Sequence, residues 1–123
     1  MARVLICEPH ADISALLELV VRRLGHDPVP YSGEELDHDT IDAAVIEPGT
    51  ELGLCLAKAL RAQNVPVLFT SIYPPERDIL ELGPAAYLVK PFPLYALERA
   101  LDGVLATLDP EGHAIGRSPS FGG

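Results

Sequence analysis

Four short runs, apolar almost throughout and separated by segments of helical period, restrict this chain to very few folds. They are Val4-Leu5-Ile6-Cys7, Ile41-Asp42-Ala43-Ala44-Val45-Ile46, Val67-Leu68-Phe69-Thr70 and Tyr87-Leu88-Val89. A strand with one wet face alternates apolar and polar residues. A run without that alternation suits a strand buried on both faces, as in a parallel sheet covered by helices. Each run ends at a polar group: Glu8, Glu47, Ser71 and Lys90 in turn. If the strands are parallel, all four groups gather at one edge of one sheet. In open α/β sheets that edge, beyond the strand carboxyl ends, is where ligands and chemistry sit.

The intervening segments support this reading. Residues 3–7 predict the first strand. Ile13, Leu16, Leu17, Val20 and Leu24 then recur at helical spacing, with Asp12 in the first turn and Gly25 at the stop. Asp27-Pro28-Val29-Pro30-Tyr31 carries two prolines, which a central strand does not accept, so strand two belongs at an edge. Residues 33–40 hold at most a short, polar second helix. Residues 41–46 predict strand three, and Leu52, Cys55, Leu56, Ala59 and Leu60 mark the third helix. Residues 65–69 predict strand four, with Pro66 at its start. Pro74-Pro75 opens a helix over 76–82 that Gly83 closes. Residues 86–89 predict strand five, and Leu94, Leu97, Leu101, Val104, Leu105 and Leu108 form the last amphipathic stripe. The expected fold class is α/β, a flavodoxin-like (βα)5 doubly wound parallel sheet with strand order 2-1-3-4-5 and right-handed crossovers. Residues 1–109 form one domain. Residues 110–123, rich in Gly, Ser and Pro, are expected to be a flexible C-terminal tail.

Composition excludes several classes. Hydrophobic residues make up 48% of 123, which argues against a disordered chain. No apolar stretch approaches the ~20 residues of a membrane helix. The start, Met1-Ala2-Arg3-Val4, lacks the layout of a signal peptide, so a cytoplasmic location is expected. Eighteen acids against nine bases leave a formal charge of −9. Nucleic acid would require a basic patch, and only Arg22-Arg23 stand together. A protein partner with a basic surface is the better match. Cys7 and Cys55 both fall in apolar segments and read as buried small hydrophobes, not as a disulfide or a metal pair.

Three segments carry a family resemblance. Arg3-Val4-Leu5-Ile6-Cys7-Glu8-Pro9-His10-Ala11-Asp12-Ile13 resembles the opening strand and acidic loop of response-regulator receiver domains. Val65-Pro66-Val67-Leu68-Phe69-Thr70-Ser71 resembles that family's fourth strand with its switch hydroxyl. Gly83-Pro84-Ala85-Ala86-Tyr87-Leu88-Val89-Lys90-Pro91-Phe92 resembles its fifth strand and Lys-Pro turn, and is the most specific of the three. The likeness spans about residues 3 to 108. It implies a CheY-like module of two-component signalling. There an aspartate accepts a phosphoryl group from a histidine kinase, an acidic pair helps hold Mg²⁺, and a lysine and a hydroxyl bind the phosphoryl oxygens.

The chain departs from that pattern at two acidic positions. Glu47 stands at the phosphoacceptor position, where its extra methylene moves the carboxylate about a bond length outward; catalysis responds to shifts near ~1 Å. Pro9 occupies half of the acidic pair and leaves Glu8 alone. The resemblance therefore implies a degenerate, stand-alone receiver that is not conventionally phosphorylated, is not an enzyme, and acts through protein–protein contact. No cofactor is expected. Glu8 stands as the acidic pocket, and Ser71, Tyr87 and Lys90 as the switch and phosphate-binding positions. Glu47 reads either as a mimic of a phosphorylated aspartate reaching toward Ser71 and Lys90, or as a plain salt-bridge partner of Lys90. Ser71 reads either as a hydroxyl on Glu47 or as a cap for the loop before Pro74. His10 reads as an exposed loop histidine. The partner is a signalling protein or kinase, and the last helix with strand five is the expected homodimer face. One alternative keeps residual phosphorylation with a weak Mg²⁺ site at Glu8 and Glu47. Another is a flavin- or nucleotide-binding module on the same fold, although strand one lacks its phosphate loop. The resemblance implies a cis Lys90-Pro91 bond, while the base rate for Xaa-Pro favours trans.

Overall fold

A computed structural model of the chain describes residues 1–31, 33–34 and 37–108. The expected tail, 110–123, lies outside the described residues. The elements in order are β1 (Arg3–Cys7), α1 (Ala11–Arg23), β2 (Asp27–Pro30), a 3₁₀ turn (His38–Thr40), β3 (Ala43–Ile46), α2 (Glu51–Ala62), β4 (Val67–Ser71), α3 (Arg77–Leu80), β5 (Ala86–Val89) and α4 (Leu94–Leu105). All five strands are parallel, in the order β2-β1-β3-β4-β5. This is the flavodoxin-like arrangement expected from the alternation of runs.

Successive strand residues point to opposite faces, so an apolar run feeds two cores at once. Val4, Ile6, Ala43, Val45 and Leu68 pack with Leu17, Val20 and Val21 of α1 and with Leu97, Leu101 and Val104 of α4. Leu5, Cys7, Ala44, Ile46, Val67 and Phe69 pack with Leu56, Ala57 and Leu60 of α2 and with Ile79 of α3. Phe69, Leu5, Ile6, Leu17 and Leu60 are among the side chains withdrawn completely from solvent. Each such side chain contributes about 1.5–3 kcal/mol by burial.

The two prolines of β2 fit because of parity. Asp27 N–H donates to Ala2 O and Tyr31 N–H to Ile6 O, both at 2.9 Å. Pro28 and Pro30 occupy the alternate positions, whose nitrogens face away from β1 on the outer rim. Gly25 follows α1 with φ +87°, a left-handed stop that suits glycine.

Several details differ from the sequence reading. Among the described residues of 33–40, the expected second helix is a 3₁₀ turn over His38–Thr40. β4 starts at Val67 and runs on to Ser71, because β5 supplies partners that far: Thr70 opposes Leu88 and Ser71 opposes Val89. α3 is one turn with Glu76 at its N-cap position and no side-chain cap bond, so Pro74 and Pro75 lie before it and do not open it. Cys55 is exposed and is not a buried hydrophobe, although Cys7 is buried. The buried stripe of α2 is Gly53, Leu56, Ala57 and Leu60, while Leu52 is 42% exposed. Close packing of the helix start explains the rotation. A Cβ on Gly53 would fall 2.2 Å from Glu47 O and 3.2 Å from Ile46 Cγ2. α2 therefore rests its small residues on the end of β3 and turns Leu52 and Cys55 outward. No helix among the described residues is long and apolar enough to cross a membrane.

Candidate functional site

Strand register assembles the site. Cys7 lies opposite Ile46, so the residues that follow, Glu8 and Glu47, emerge side by side. Ser71 lies opposite Val89, which places Lys90 at the same edge. Glu47 N–H donates to Cys7 O at 2.9 Å, and Lys90 N–H donates to Ser71 O at 2.6 Å. The four groups anticipated at one sheet edge thus meet there, held by their own main chains.

Lys90 bridges the two carboxylates. Its Nζ donates to Glu8 Oε1 at 2.5 Å and to Glu47 Oε2 at 3.0 Å. The Lys90, Glu8 and Glu47 side chains are 8%, 1% and 10% exposed. Burial alone pulls the lysine pKa down. Hydrogen bonds from Glu8 and Glu47, and then their charges, push it up and prevail, so it lies above the ordinary lysine value. The ammonium is therefore charged throughout the physiological range.

The remaining carboxylate oxygens are also occupied. Glu8 Oε2 accepts the His10 N–H and lies against His10 Nδ1, both at 3.2 Å. Glu47 Oε1 accepts the Gly49 N–H at 2.8 Å. Thr50 caps α2 through Gly53 N–H and fixes the turn that carries this contact. Every carboxylate oxygen of the pair already has a donor. A hard cation such as Mg²⁺ needs several oxygen ligands in near-octahedral geometry. Pro9 offers none, and no cluster of three or more His, Cys, Asp or Glu suited to a metal occurs among the described residues. As arranged, these residues do not fit a divalent cation.

The switch positions are placed differently. Ser71 Oγ accepts the Tyr73 N–H at 3.2 Å and so holds the loop after β4; it has no hydrogen bond to Glu47. Of the two readings of Ser71, the geometry is that of the loop cap. Glu47 correspondingly reaches Lys90 but not Ser71. Tyr87 is half-buried, packs edge-on to Phe69 with centroids 6.2 Å apart, and donates its hydroxyl to Tyr73 O at 2.8 Å. The Lys90-Pro91 peptide is cis. Burial, and then the Glu8 charge, raise the Cys7 thiol pKa and leave it an unreactive neighbour.

Sequence reasoning missed three contributors. His10 is an exposed loop histidine as read, yet it also grips Glu8. Gly49 was visible only as a turn residue after Pro48. Tyr73 carries no sequence signal, although Ser71 and Tyr87 both tie to its backbone. Beside the lysine lies a groove of about 450 Å³, lined by His10, Ile13, Leu16, Ile72, Pro91 and Phe92.

No family model and no curated protein matches the chain. Solved structures do. Chemotaxis protein CheY4 of Vibrio cholerae is 21% identical over 85% of this chain and 99% of its own, with TM-score 0.67. A signal receiver domain of a histidine kinase from Clostridium thermocellum is 19% identical over 85% of this chain and 97% of its own, with TM-score 0.72. An orphan response regulator of H. pylori is 19% identical over 85% of this chain and 96% of its own, with TM-score 0.69. At these identities the likeness is one of fold, and the fold is that of CheY-like response-regulator receiver domains.

Proposed function

We propose that this protein is a degenerate receiver module of two-component or related signalling, acting by protein–protein contact in the cytoplasm without ordinary phosphotransfer. The observation that carries this reading is the Lys90 ammonium seated between Glu8 and Glu47, with every carboxylate oxygen occupied. Phosphoryl transfer to a carboxylate needs a free, correctly placed oxygen and a bound cation to neutralise developing charge. Glu47 offers a displaced and occupied carboxylate, and Pro9 removes one metal ligand. Solved relatives of this fold are named as chemotaxis and response-regulator proteins, which supports a signalling role and a protein partner. Exposed Val89 on β5, and Leu94 and Tyr95 on α4, at 43%, 40% and 70%, support contact through that face, including a homodimer. The flavin or nucleotide alternative finds less support, because β1 passes to α1 through Glu8-Pro9-His10, where a buried carboxylate would oppose a phosphate.

The test is incubation with a small phosphodonor and Mg²⁺, followed by intact mass. The expected result is an unmodified chain. A stoichiometric phosphate adduct would refute the reading and restore residual phosphorylation at Glu47 or Ser71.

A further inference from the structure

We infer that the Lys90 ammonium is the resident cation of this pocket, so that the pocket takes a divalent ion only once that ammonium is removed. The inference deepens the reading of a site without ordinary phosphotransfer and concerns what neutralises its two carboxylates. Glu8 Oε1 and Glu47 Oε2 both lie against one Nζ, at 2.5 and 3.0 Å. The second oxygens are held by His10 and Gly49. Each of the four oxygens already accepts a hydrogen bond that an arriving metal ion would have to displace or share.

The ammonium differs from a bound ion in one physical respect. An ion occupies its site according to its concentration and dissociation constant. Lys90 is covalently attached and its main chain is anchored by its own N–H on Ser71 O, so its local concentration at the carboxylates is fixed by the fold and not by the solution. The two carboxylates thus have a countercharge beside them before any Mg²⁺ is added. Removing the ammonium reverses the situation. Two nearly buried carboxylates then share the pocket without the ammonium, and a hard dication with oxygen preference is the ligand that relieves them.

The experiment is thermal denaturation of the full chain and of Lys90→Met, with MgCl₂ alone as the probe. The wild type is expected to move by less than about 1 °C at about 10 mM Mg²⁺. Lys90→Met is expected to melt lower without metal and to recover by about 5 °C or more with it. A wild-type shift as large as the variant's, or a folded variant indifferent to Mg²⁺, overturns the inference. If Lys90→Met does not fold in either condition, Mn²⁺ broadening of amide signals in the wild type decides. Selective broadening of Gly49 and Lys90 at or below about 1 mM overturns the inference, and its absence supports it. The phosphodonor assay separates the two readings: a wild type that binds Mg²⁺ yet takes no phosphate sinks the resident-cation inference alone.

Discussion

Two glycines in helices respond oppositely to the same substitution. Gly53 lies in the first turn of α2, and Gly103 lies near the end of α4. Exchanging glycine for alanine inside a helix gains roughly 0.5–1 kcal/mol when nothing else changes, since alanine loses less backbone freedom on folding. At Gly103 nothing stands within 4 Å of an added Cβ, so Gly103→Ala is expected to stabilise by about that amount. At Gly53 the added Cβ would lie 2.2 Å from the backbone oxygen of Glu47 and 2.8 Å from Thr50 Oγ1. A relaxed carbon–oxygen contact is about 3.3–3.6 Å, so the overlap with main chain exceeds roughly 1 Å. Overpacking of this kind costs about 1–3 kcal/mol, against the smaller gain in propensity. Gly53→Ala is therefore expected to destabilise by about 1–2 kcal/mol net. Urea denaturation followed by circular dichroism measures both variants. With a slope near ~1–3 kcal/mol/M, the midpoints separate in opposite directions from the wild type. Stabilisation by Gly53→Ala matching that of Gly103→Ala would show that α2 does not sit on the end of β3, and would remove the support claimed for Glu47.

Two further outcomes follow from one buried and one half-buried polar group. Thr70 is fully buried and its hydroxyl has no partner. Thr70→Val keeps the shape and removes the unpaired group, so a gain on the order of 1 kcal/mol is expected in denaturant unfolding; a loss of that size would mean the hydroxyl is bonded after all. His26 accepts the Ala2 N–H on Nδ1 at 2.8 Å, which requires that nitrogen to be unprotonated. Burial, then the N-terminal charge, lower its pKa, partly offset by Asp102 and Asp42. A base whose folded pKa is depressed stabilises the fold above its unfolded value, near ~6.5, and loses that contribution as pH falls through the folded value. Stability measured from about pH 7.5 to about pH 5 should fall more steeply in the wild type than in His26→Asn, and equal slopes would remove His26 from the account.

The sheet was legible because doubly buried strands leave an unmistakable residue pattern. Val4 through Cys7 and Val67 through Phe69 are apolar without alternation, and the prolines at 28 and 30 mark their strand as an edge. The meeting of Glu8, Glu47 and Lys90 followed from parallel order alone. What the pattern could not convey was fit. In α2 a count of apolar residues favours Leu52 and Cys55, whereas the close approach of backbone to β3 demands Gly53 and turns Ala57 inward with it. Ser71 read equally well on Glu47 or on the loop, since the choice depends on where Tyr73 N–H points, a matter of loop geometry and not of residue type. The grip of His10 on Glu8 was likewise invisible, because an exposed ring two residues from a carboxylate has many other places to go.

The prolines of β2 have a consequence for assembly. A sheet can grow by accepting a new strand at either rim, provided the rim offers donors as well as acceptors. On the β2 rim the outward nitrogens belong to Pro28 and Pro30 and carry no hydrogen. Among the described strands, that leaves the rim of β5 to accept a hydrogen-bonded neighbour. Two copies joined β5 to β5 would consume that rim of each, so edge-on association of the described sheet ends at a closed pair and does not propagate into a fibre.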